Sequence, residues 1–443
     1  MSSPKKQETL SAPRGTKDIL QEESQNWREL EKKWFDLCAL FGFEEIRVPT
    51  FESTDLYCRG VGEGTDIVGK EMFTFSDRGG RSLTLRPEGT AGVVRAVIEN
   101  GLLWKTMPLQ LCYNLSCFRN ERPQAGRFKE FHQFGAEVFG VPFPTADAEI
   151  IKLAYEFFQN LGITDLELHI NSIGCPQCRD EYKKILVEYL KKESGDLCKS
   201  CNDRLETNPL RTLDCKEKVC QSVTKNAPSM LDYLCESCKE HFSVLRYILD
   251  QSGIAYKVNP KIVRGLDYYN RTVFEFISGH LGAQSTVCGG GRYDSLVETL
   301  GGKPTPALGF GMGVERLMLV LEAIGYKYDE PKSTEVYVCA MSTESMTVGM
   351  NLVDKMRKAG IKAAANLMDK SLKSQMKFAD KIGAEYAVII GTDELRSHKA
   401  EIKPMKGQAE IPADIMEFCL PETEVNEEGK EIRYIGIKEY QSK

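Results

Sequence analysis

The chain has 443 residues, 42% of them apolar and 28% charged, an ordinary balance for a folded, water-facing protein. Its length calls for two or three domains rather than one core. No run of about 18 apolar residues is present, which excludes a membrane-spanning helix. The Ser/Lys-rich start, Met1–Gln7, has no apolar segment of an export signal, so a reducing cytosol without disulfides is expected. The net charge of −6 does not advertise nucleic acid, but phosphate contacts need only a local basic patch.

Residues 1–12 read as a disordered tail. Trp27, Leu30, Trp34, Leu37, Cys38 and Phe41 then recur at helical spacing and stop at Gly42. Glu44–Phe51, with Pro49 inside it, reads as one edge strand. Met72–Phe75 and Leu83–Leu85 flank Asp77-Arg78-Gly79-Gly80, a hairpin signal. Two longer strands, Leu109–Phe118 and Phe128–Phe139, are joined by a polar loop. A helix over Ala146–Leu161 and a strand over Leu166–Asn171 follow. Residues 173–255 are mostly helical and cysteine-rich, and they interrupt the sheet. Strand character resumes at Thr272–Ile277, and Val314–Ile324 is a helix. This predicts an α+β domain with an antiparallel sheet flanked by helices, built from residues 13–172 and 256–328. After a polar linker around Lys327–Ser333, strands at Val336, Ile361 and Tyr386 alternate with helices at Met346 and Leu372. That pattern predicts a separate, largely parallel α/β domain over residues 334–443. Beyond Asp393 the pattern is not readable.

Four stretches carry chemistry. Arg264-Gly-Leu-Asp-Tyr-Tyr269 and Cys288-Gly-Gly-Gly-Arg-Tyr-Asp294 are too polar for core strands and too constrained for random loops. Ala307–Leu317 and Phe118–Pro123 complete the set. Period-two alternation puts Arg127, Lys129, Phe131, Gln133, Gly135 and Glu137 on one strand face, although a solvated face would also be polar. Arg119, Arg122 and Arg127 converge near the preceding turn, an arrangement that suits polyphosphate. In Arg86-Pro-Glu-Gly-Thr90, a carboxylate and a hydroxyl at a strand end can hold an ammonium group; the plainer reading is a helix cap by Thr90. Gly289-Gly290-Gly291 allows close approach of backbone to a ligand. The Gly309-x-Gly311-x-Gly313 run fails the dinucleotide fingerprint spacing, and no phosphate-loop motif occurs.

Together these stretches resemble the class II aminoacyl-tRNA synthetases, and specifically the histidyl-tRNA synthetase family. Trp27–Pro49, Phe118–Phe139 and Ala307–Leu317 resemble the three class II motifs; Arg264–Tyr269 and Cys288–Asp294 resemble the two histidine-specific signatures. The resemblance implies ligation of L-histidine to its tRNA through an adenylate, with ATP and Mg²⁺, in a cytoplasmic homodimer whose interface the first motif builds. It implies Arg119, Glu121, Arg127, Phe131 and Arg316 at ATP, and Arg264 between the histidine carboxylate and the α-phosphate. It implies Glu88, Gly89, Thr90 and Gln133 at the amino group, and Glu137, Tyr268, Tyr269 and Tyr293 around the imidazole. Arg264, Arg119 and Arg316 are the implied catalytic residues. The C-terminal domain resembles the family's anticodon-binding domain, with Lys370, Lys373, Lys377 and Lys381 as one basic or merely solvated face. Rival readings are a non-catalytic, synthetase-like regulatory subunit, a class II synthetase for another amino acid, and a zinc-dependent RNA-binding protein.

Fifteen cysteines remain to be explained, eight of them between Cys175 and Cys238. The pairs Cys175/Cys178 and Cys198/Cys201 are separated by 19 residues, within the zinc-ribbon range, and form the first quartet expected for structural Zn²⁺. Cys215, Cys220, Cys235 and Cys238 are competing ligands, and reduced surface thiols are the alternative. The insertion's polar sequence offers few apolar residues for a core of its own, so a metal would supply the missing stabilisation.

Overall fold

The structure, a computed structural model, describes residues 10–440 except 63, 193, 207, 285, 330–333, 369, 406–410 and 428. The tail 1–9 and linker residues 330–333 lie outside the described residues; residues 10–12 form no regular element. The chain divides into two compact units, residues 1–328 and 329–443.

The first unit is organised by an eight-stranded sheet. Its order is Glu44–Glu45, Leu109–Phe118, Glu130–Phe139, Ala307–Gly313, Thr286–Arg292, Asn270–Ile277, Glu167–Ser172 and Lys257–Val258. The six inner strands run antiparallel, and the two-residue strands at each edge pair parallel. One face is covered by apolar helices. The helix Gln21–Leu40 buries Trp27, Leu30, Trp34 and Leu37, the residues picked out by helical spacing. Trp34 stacks on Phe134 at 5.4 Å and meets Phe157 edge-on at 5.2 Å, so helix, strand and the Pro144–Asn160 helix share one aromatic core.

Glu44–Phe51 is not one strand. Glu44–Glu45 edges the large sheet, whereas Phe51–Ser53 joins a three-stranded sheet with Ser82–Leu85 and Phe73–Ser76; Pro49 falls at the break, where no ladder amide is required. The Cys288–Asp294 stretch also departs from expectation. Cys288–Arg292 lies in the buried part of a central strand. Polarity misled because three of its residues are glycines, which leave their faces to neighbouring side chains.

Arg292 explains how a charge survives there. It is fully buried, and its guanidinium donates to Asp147 Oδ2 at 2.8 Å, Asp294 Oδ1 at 3.0 Å and the carbonyls of Val141 and Phe143 at 3.0 and 2.9 Å. His241 Nε2 meets the other Asp147 oxygen at 3.2 Å. Burial alone would raise the Asp147 carboxyl, but the His241 hydrogen bond and the Arg292 charge outweigh it and hold it below its usual value.

Between Ser172 and Lys257 the described residues contain helices and no strand: Pro176–Lys192, Lys199–Asp203, Lys218–Thr224 and Glu236–Gln251 are the α-helices. The insertion is less poor in apolar residues than its composition implied. Tyr182, Leu186, Leu190, Leu213, Met230 and Leu234 are buried in one cluster with its cysteines.

The second unit is a six-stranded sheet in the order Ala363–Ala365, Val336–Ala340, Tyr386–Ile390, Lys399–Pro404, Glu431–Gly436 and Cys419–Val425. Only its first three strands are parallel; the others are antiparallel, so the sheet is mixed rather than largely parallel. The segment with no readable sequence pattern contributes Ala400, Ile402, Ile415, Ile435 and Ile437 to the same core as Val336 and Val388. Lys373, Lys377 and Lys381 are exposed on the helix Leu372–Lys381, and Lys370 is exposed just before it.

Replacing Arg292 by methionine would leave Asp147 buried without its main cation. We expect Arg292→Met to cost about 3–5 kcal/mol, read as a fall in urea midpoint at unchanged m-value. A midpoint within error of wild type would contradict the architectural role.

Candidate active site

The site starts from register. Glu137, Gly135 and Gln133 lie opposite Gly309, Gly311 and Gly313, and Gly309 and Gly311 lie opposite Gly291 and Gly289. Directly paired residues share a sheet face, so glycines form the floor of a trough with Gln133 and Glu137 on its rim. A Cβ on Gly309 would sit 1.6 Å from Glu137 Oε2; one on Gly135 would sit 2.1 Å from the Tyr113 ring; one on Gly289 would sit 2.6 Å from the Arg264 guanidinium. Gly290 and Gly291 are crowded by the carbonyls of Gly309 and Thr272, which lie 2.2 and 2.4 Å from where a Cβ would be. The close approaches that the glycine triplet permits are therefore made by the protein's own groups.

At one end of the trough Glu137 is completely buried. Its Oε1 accepts from Thr90 Oγ1 at 2.8 Å and Tyr113 Oη at 2.9 Å, and its Oε2 accepts a short hydrogen bond from Tyr293 Oη. Burial pushes its pKa up to about 8 despite these three donors. Tyr268, Tyr269 and Tyr293 form a ring cluster, with Tyr268 4.6 Å from Tyr269 and 5.5 Å from Tyr293. Tyr268 Oη is buried with no hydrogen-bond partner among the described residues. Glu88 accepts the backbone N–H groups of Thr90 and Ala91 at 2.7 and 2.9 Å, so the helix Thr90–Glu99 is capped by Glu88 rather than by Thr90, whose hydroxyl is turned to Glu137. Gly89 leaves room for the Tyr113 ring, 2.6 Å from where a Cβ would be.

At the other end Arg119, Arg127, Arg264 and Arg316 line one cavity with Phe131 and Gln133. The guanidinium of Arg119 donates to the Pro87 carbonyl at 2.9 Å and lies 5.1 Å from the Phe131 ring centre. Glu121 pairs with Arg127 at 2.6 Å. Arg316 donates to the carbonyls of Thr286 and Gly126 at 2.7 and 3.3 Å. Burial, then repulsion from Arg127 and Arg119, lowers the Arg316 pKa to about 10. Arg264 is held charged by Glu275, which outweighs the cost of its burial, and its Nε has no partner among the described residues. Arg122 is exposed and does not line the cavity.

The residues expected at ATP or histidine fall along this trough or against its walls, with Glu88 behind Thr90 as the helix cap. Sequence reasoning missed Tyr113, Glu275 and Glu315. Glu315 accepts the His132 backbone N–H at 3.0 Å and meets its Nδ1 at 2.9 Å, which ties the helix Val314–Ala323, and so Arg316, to the Glu130–Phe139 strand. Gly135 was the available signal for Tyr113, since a mid-strand glycine marks a large group lying across it.

The cysteines are brought together differently from the expected quartet. Cys175 and Cys178 meet Cys235 and Cys238, while Cys198 and Cys201 meet Cys215 and Cys220.

Residues 15–317 match the family described as histidyl-tRNA synthetase, and residues 335–419 match the anticodon binding domain. The chain belongs to the histidyl-tRNA synthetase family. It is 53% identical over 407 residues to the histidine–tRNA ligase of Acetivibrio thermocellus, a match covering 91% of this chain and 98% of that protein. With the histidine–tRNA ligase of Clostridioides difficile it shares 50% identity over 396 residues, covering 89% and 94%. The crystal structure of apo S. aureus histidyl-tRNA synthetase superposes with a TM-score of 0.78 at 36% identity, covering 92% of this chain and 98% of that one. Family members use ATP, typically with Mg²⁺. Among the described residues no helix is long and apolar enough to cross a membrane.

A carboxyl whose pKa is raised in the folded state stabilises the fold while protonated. For Glu137 that contribution is complete below its ordinary value, 4.5, and is lost as pH rises through about 8. Glu137→Gln removes the titration. We expect unfolding free energy to fall with pH across this window more steeply in wild type than in the variant, by up to about 1.4 kcal/mol per pH unit. Urea unfolding of both proteins at several pH values inside the window checks it; parallel slopes would contradict a buried neutral acid.

Proposed function

We propose that this chain attaches L-histidine to its tRNA in an ATP-dependent reaction, through a histidyl-adenylate, releasing AMP and pyrophosphate. The observation that carries this reading is the trough itself: a buried carboxyl among tyrosines at one end and four converging arginines at the other, joined by glycine backbone. The first end suits an imidazole, which offers an N–H to Glu137 and a face to Tyr268, Tyr269 and Tyr293. A site that hydrogen-bonds its ligand in this way rejects apolar mimics strongly, because they would leave buried polar groups unpaired. Gln133, with Thr90 and Glu88 behind it, takes the amino group. Of the four arginines Arg264 lies nearest the tyrosines, 5.9 Å from the Tyr269 ring centre, beside the histidine carboxylate and the α-phosphate.

The second end suits ATP, which arrives as its Mg²⁺ complex. Arg119, Arg127 and Arg316 repel one another, and the phosphates of ATP offset that repulsion with charge-assisted hydrogen bonds. Phe131 stacks on the adenine and Glu121 steadies Arg127. The histidine carboxylate attacks the α-phosphorus, the bond to the β-phosphate oxygen breaks, and pyrophosphate leaves. No protein nucleophile is required, and catalysis is positioning plus charge stabilisation by the arginines. The terminal ribose hydroxyl of tRNA then attacks the adenylate carbonyl and AMP leaves. In this reading the chain works as a cytoplasmic homodimer, the C-terminal unit binds the anticodon, and the insertion carries structural zinc facing the acceptor arm. The match to the anticodon binding domain disfavours a purely regulatory subunit.

Pyrophosphate exchange with each of the twenty amino acids tests the reading, and only histidine is expected to support it. In single turnover, Arg264→Ala should slow adenylate formation by roughly 10²–10³-fold while equilibrium binding of ATP changes little. Exchange driven by another amino acid, or a variant as fast as wild type, would overturn the assignment.

A further inference from the structure

The eight cysteines of the insertion form two quartets, and within each quartet the four sulfurs lie within 4.8 Å of one another. Cys175 Sγ and Cys178 Sγ are 3.5 Å apart, and Cys198 Sγ and Cys215 Sγ are 4.0 Å apart. Tetrahedral Zn²⁺ with sulfur at about 2.3 Å requires sulfurs about 3.8 Å apart. All eight cysteines are free, so disulfides do not account for the clustering. Backbone amides already point at two of the sulfurs: Cys235 N–H donates to Cys178 Sγ at 3.0 Å and Cys198 N–H to Cys220 Sγ at 3.2 Å. Such donors stabilise thiolates in an outer shell. Soft thiolate sets of this shape select zinc over hard cations.

We propose that the insertion holds two structural zinc ions, one in Cys175/Cys178/Cys235/Cys238 and one, nested inside it in sequence, in Cys198/Cys201/Cys215/Cys220. This rests on the zinc-bearing reading of the insertion and is independent of which amino acid is activated. The first site closes the neck of the insertion, joining its first helix to its last. Its neighbours reach the tyrosine stretch. Arg179, next to Cys178, donates to the Tyr269 carbonyl at 2.7 Å. The Ile173 N–H donates to the Arg271 carbonyl and the Arg271 N–H to the Gly174 carbonyl, each at 2.8 Å. The second site steadies the segment from which Arg204 pairs with Asp66 at 2.6 Å and Asn208 donates to Asp267 at 2.7 Å. Both metals thereby brace the Arg264–Tyr269 stretch from outside the trough.

Metal analysis of the full chain, purified without a histidine tag, should find two zinc ions per chain, matching the two quartets. The paired change Cys175→Ser with Cys238→Ser should leave one ion, as should Cys198→Ser with Cys220→Ser. Cys175→Ser, Cys178→Ser, Cys198→Ser and Cys201→Ser together should leave none, because each quartet then keeps only two sulfurs. A metal-free wild-type protein would overturn zinc binding altogether. One ion retained in the last variant would overturn the partition, because Cys215, Cys220, Cys235 and Cys238 would then form a site of their own. Wild type alone gives a second measure if a variant does not fold. Cobalt exchanged into it should give a thiolate charge-transfer band in the near ultraviolet, and thiol titration should be blocked until a chelator is added; eight freely titrating thiols at the start would sink the proposal. Metal removal should also raise amide exchange at Ile173 and Arg271, and unchanged exchange there would overturn the bracing.

Discussion

The constraint on which this molecule depends is the absence of side chains along two central strands. In most antiparallel sheets both faces of an inner strand are filled by side chains. Here Gly289, Gly309, Gly311 and Gly313 leave one face bare beside Glu137 and Gln133. Arg264 lies against Gly289, and Glu137 lies against Gly309, at distances that any Cβ would forbid. Glycine weakens a strand, and the sheet offsets that weakness with aromatic packing on its opposite face, where Trp34, Phe134, Phe157 and Phe310 meet. The trough occupies one face and the aromatic core the other.

Electrostatics then divides the trough. A buried carboxyl at one end and mutually repelling guanidinium groups at the other create opposite demands, one for an N–H donor and one for an anion. Tyr268 Oη and Arg264 Nε are buried without partners among the described residues, which is costly in a finished core and reasonable in a site built around a ligand. Arg292 shows the contrast. It belongs to the same signature as Tyr293, yet its guanidinium is committed to Asp147, Asp294 and two carbonyls, so it fixes the strand.

Much of this was legible from residue order alone, for identifiable reasons. Alternation along residues 127–137 put Phe131, Gln133 and Glu137 on one face, because period two needs no knowledge of neighbours. Helical spacing found the buried stripe of Trp27, Leu30 and Trp34 for the same reason. What failed needed partners that lie far away in sequence. Tyr113 could be recognised only with its register against Gly135. Cys288–Arg292 looked too polar for a core strand because the groups that bury it arrive from residues 264, 273 and 310. The last strands of the C-terminal unit alternate weakly and pair mostly with one another, so their own pattern says little.

The cysteines show the same limit most clearly. Spacing favours the pair nearest in sequence, because closing a short loop costs less entropy. That preference joins Cys178 to Cys198. The fold overrules it by bringing the end of the insertion back beside its start, as the sheet demands: the chain must leave Ser172 and return to the strand that begins at Asn270, its antiparallel neighbour. The helix Glu236–Gln251 runs from the neck to Lys257–Val258, which pairs parallel with Glu167–Ser172, so Cys235 at its start meets Cys175, and the inner cysteines are left to one another. Sheet pairing, rather than cysteine spacing, therefore decides which sulfurs meet, and the neck they form lies against the Tyr269–Arg271 backbone that shapes the trough.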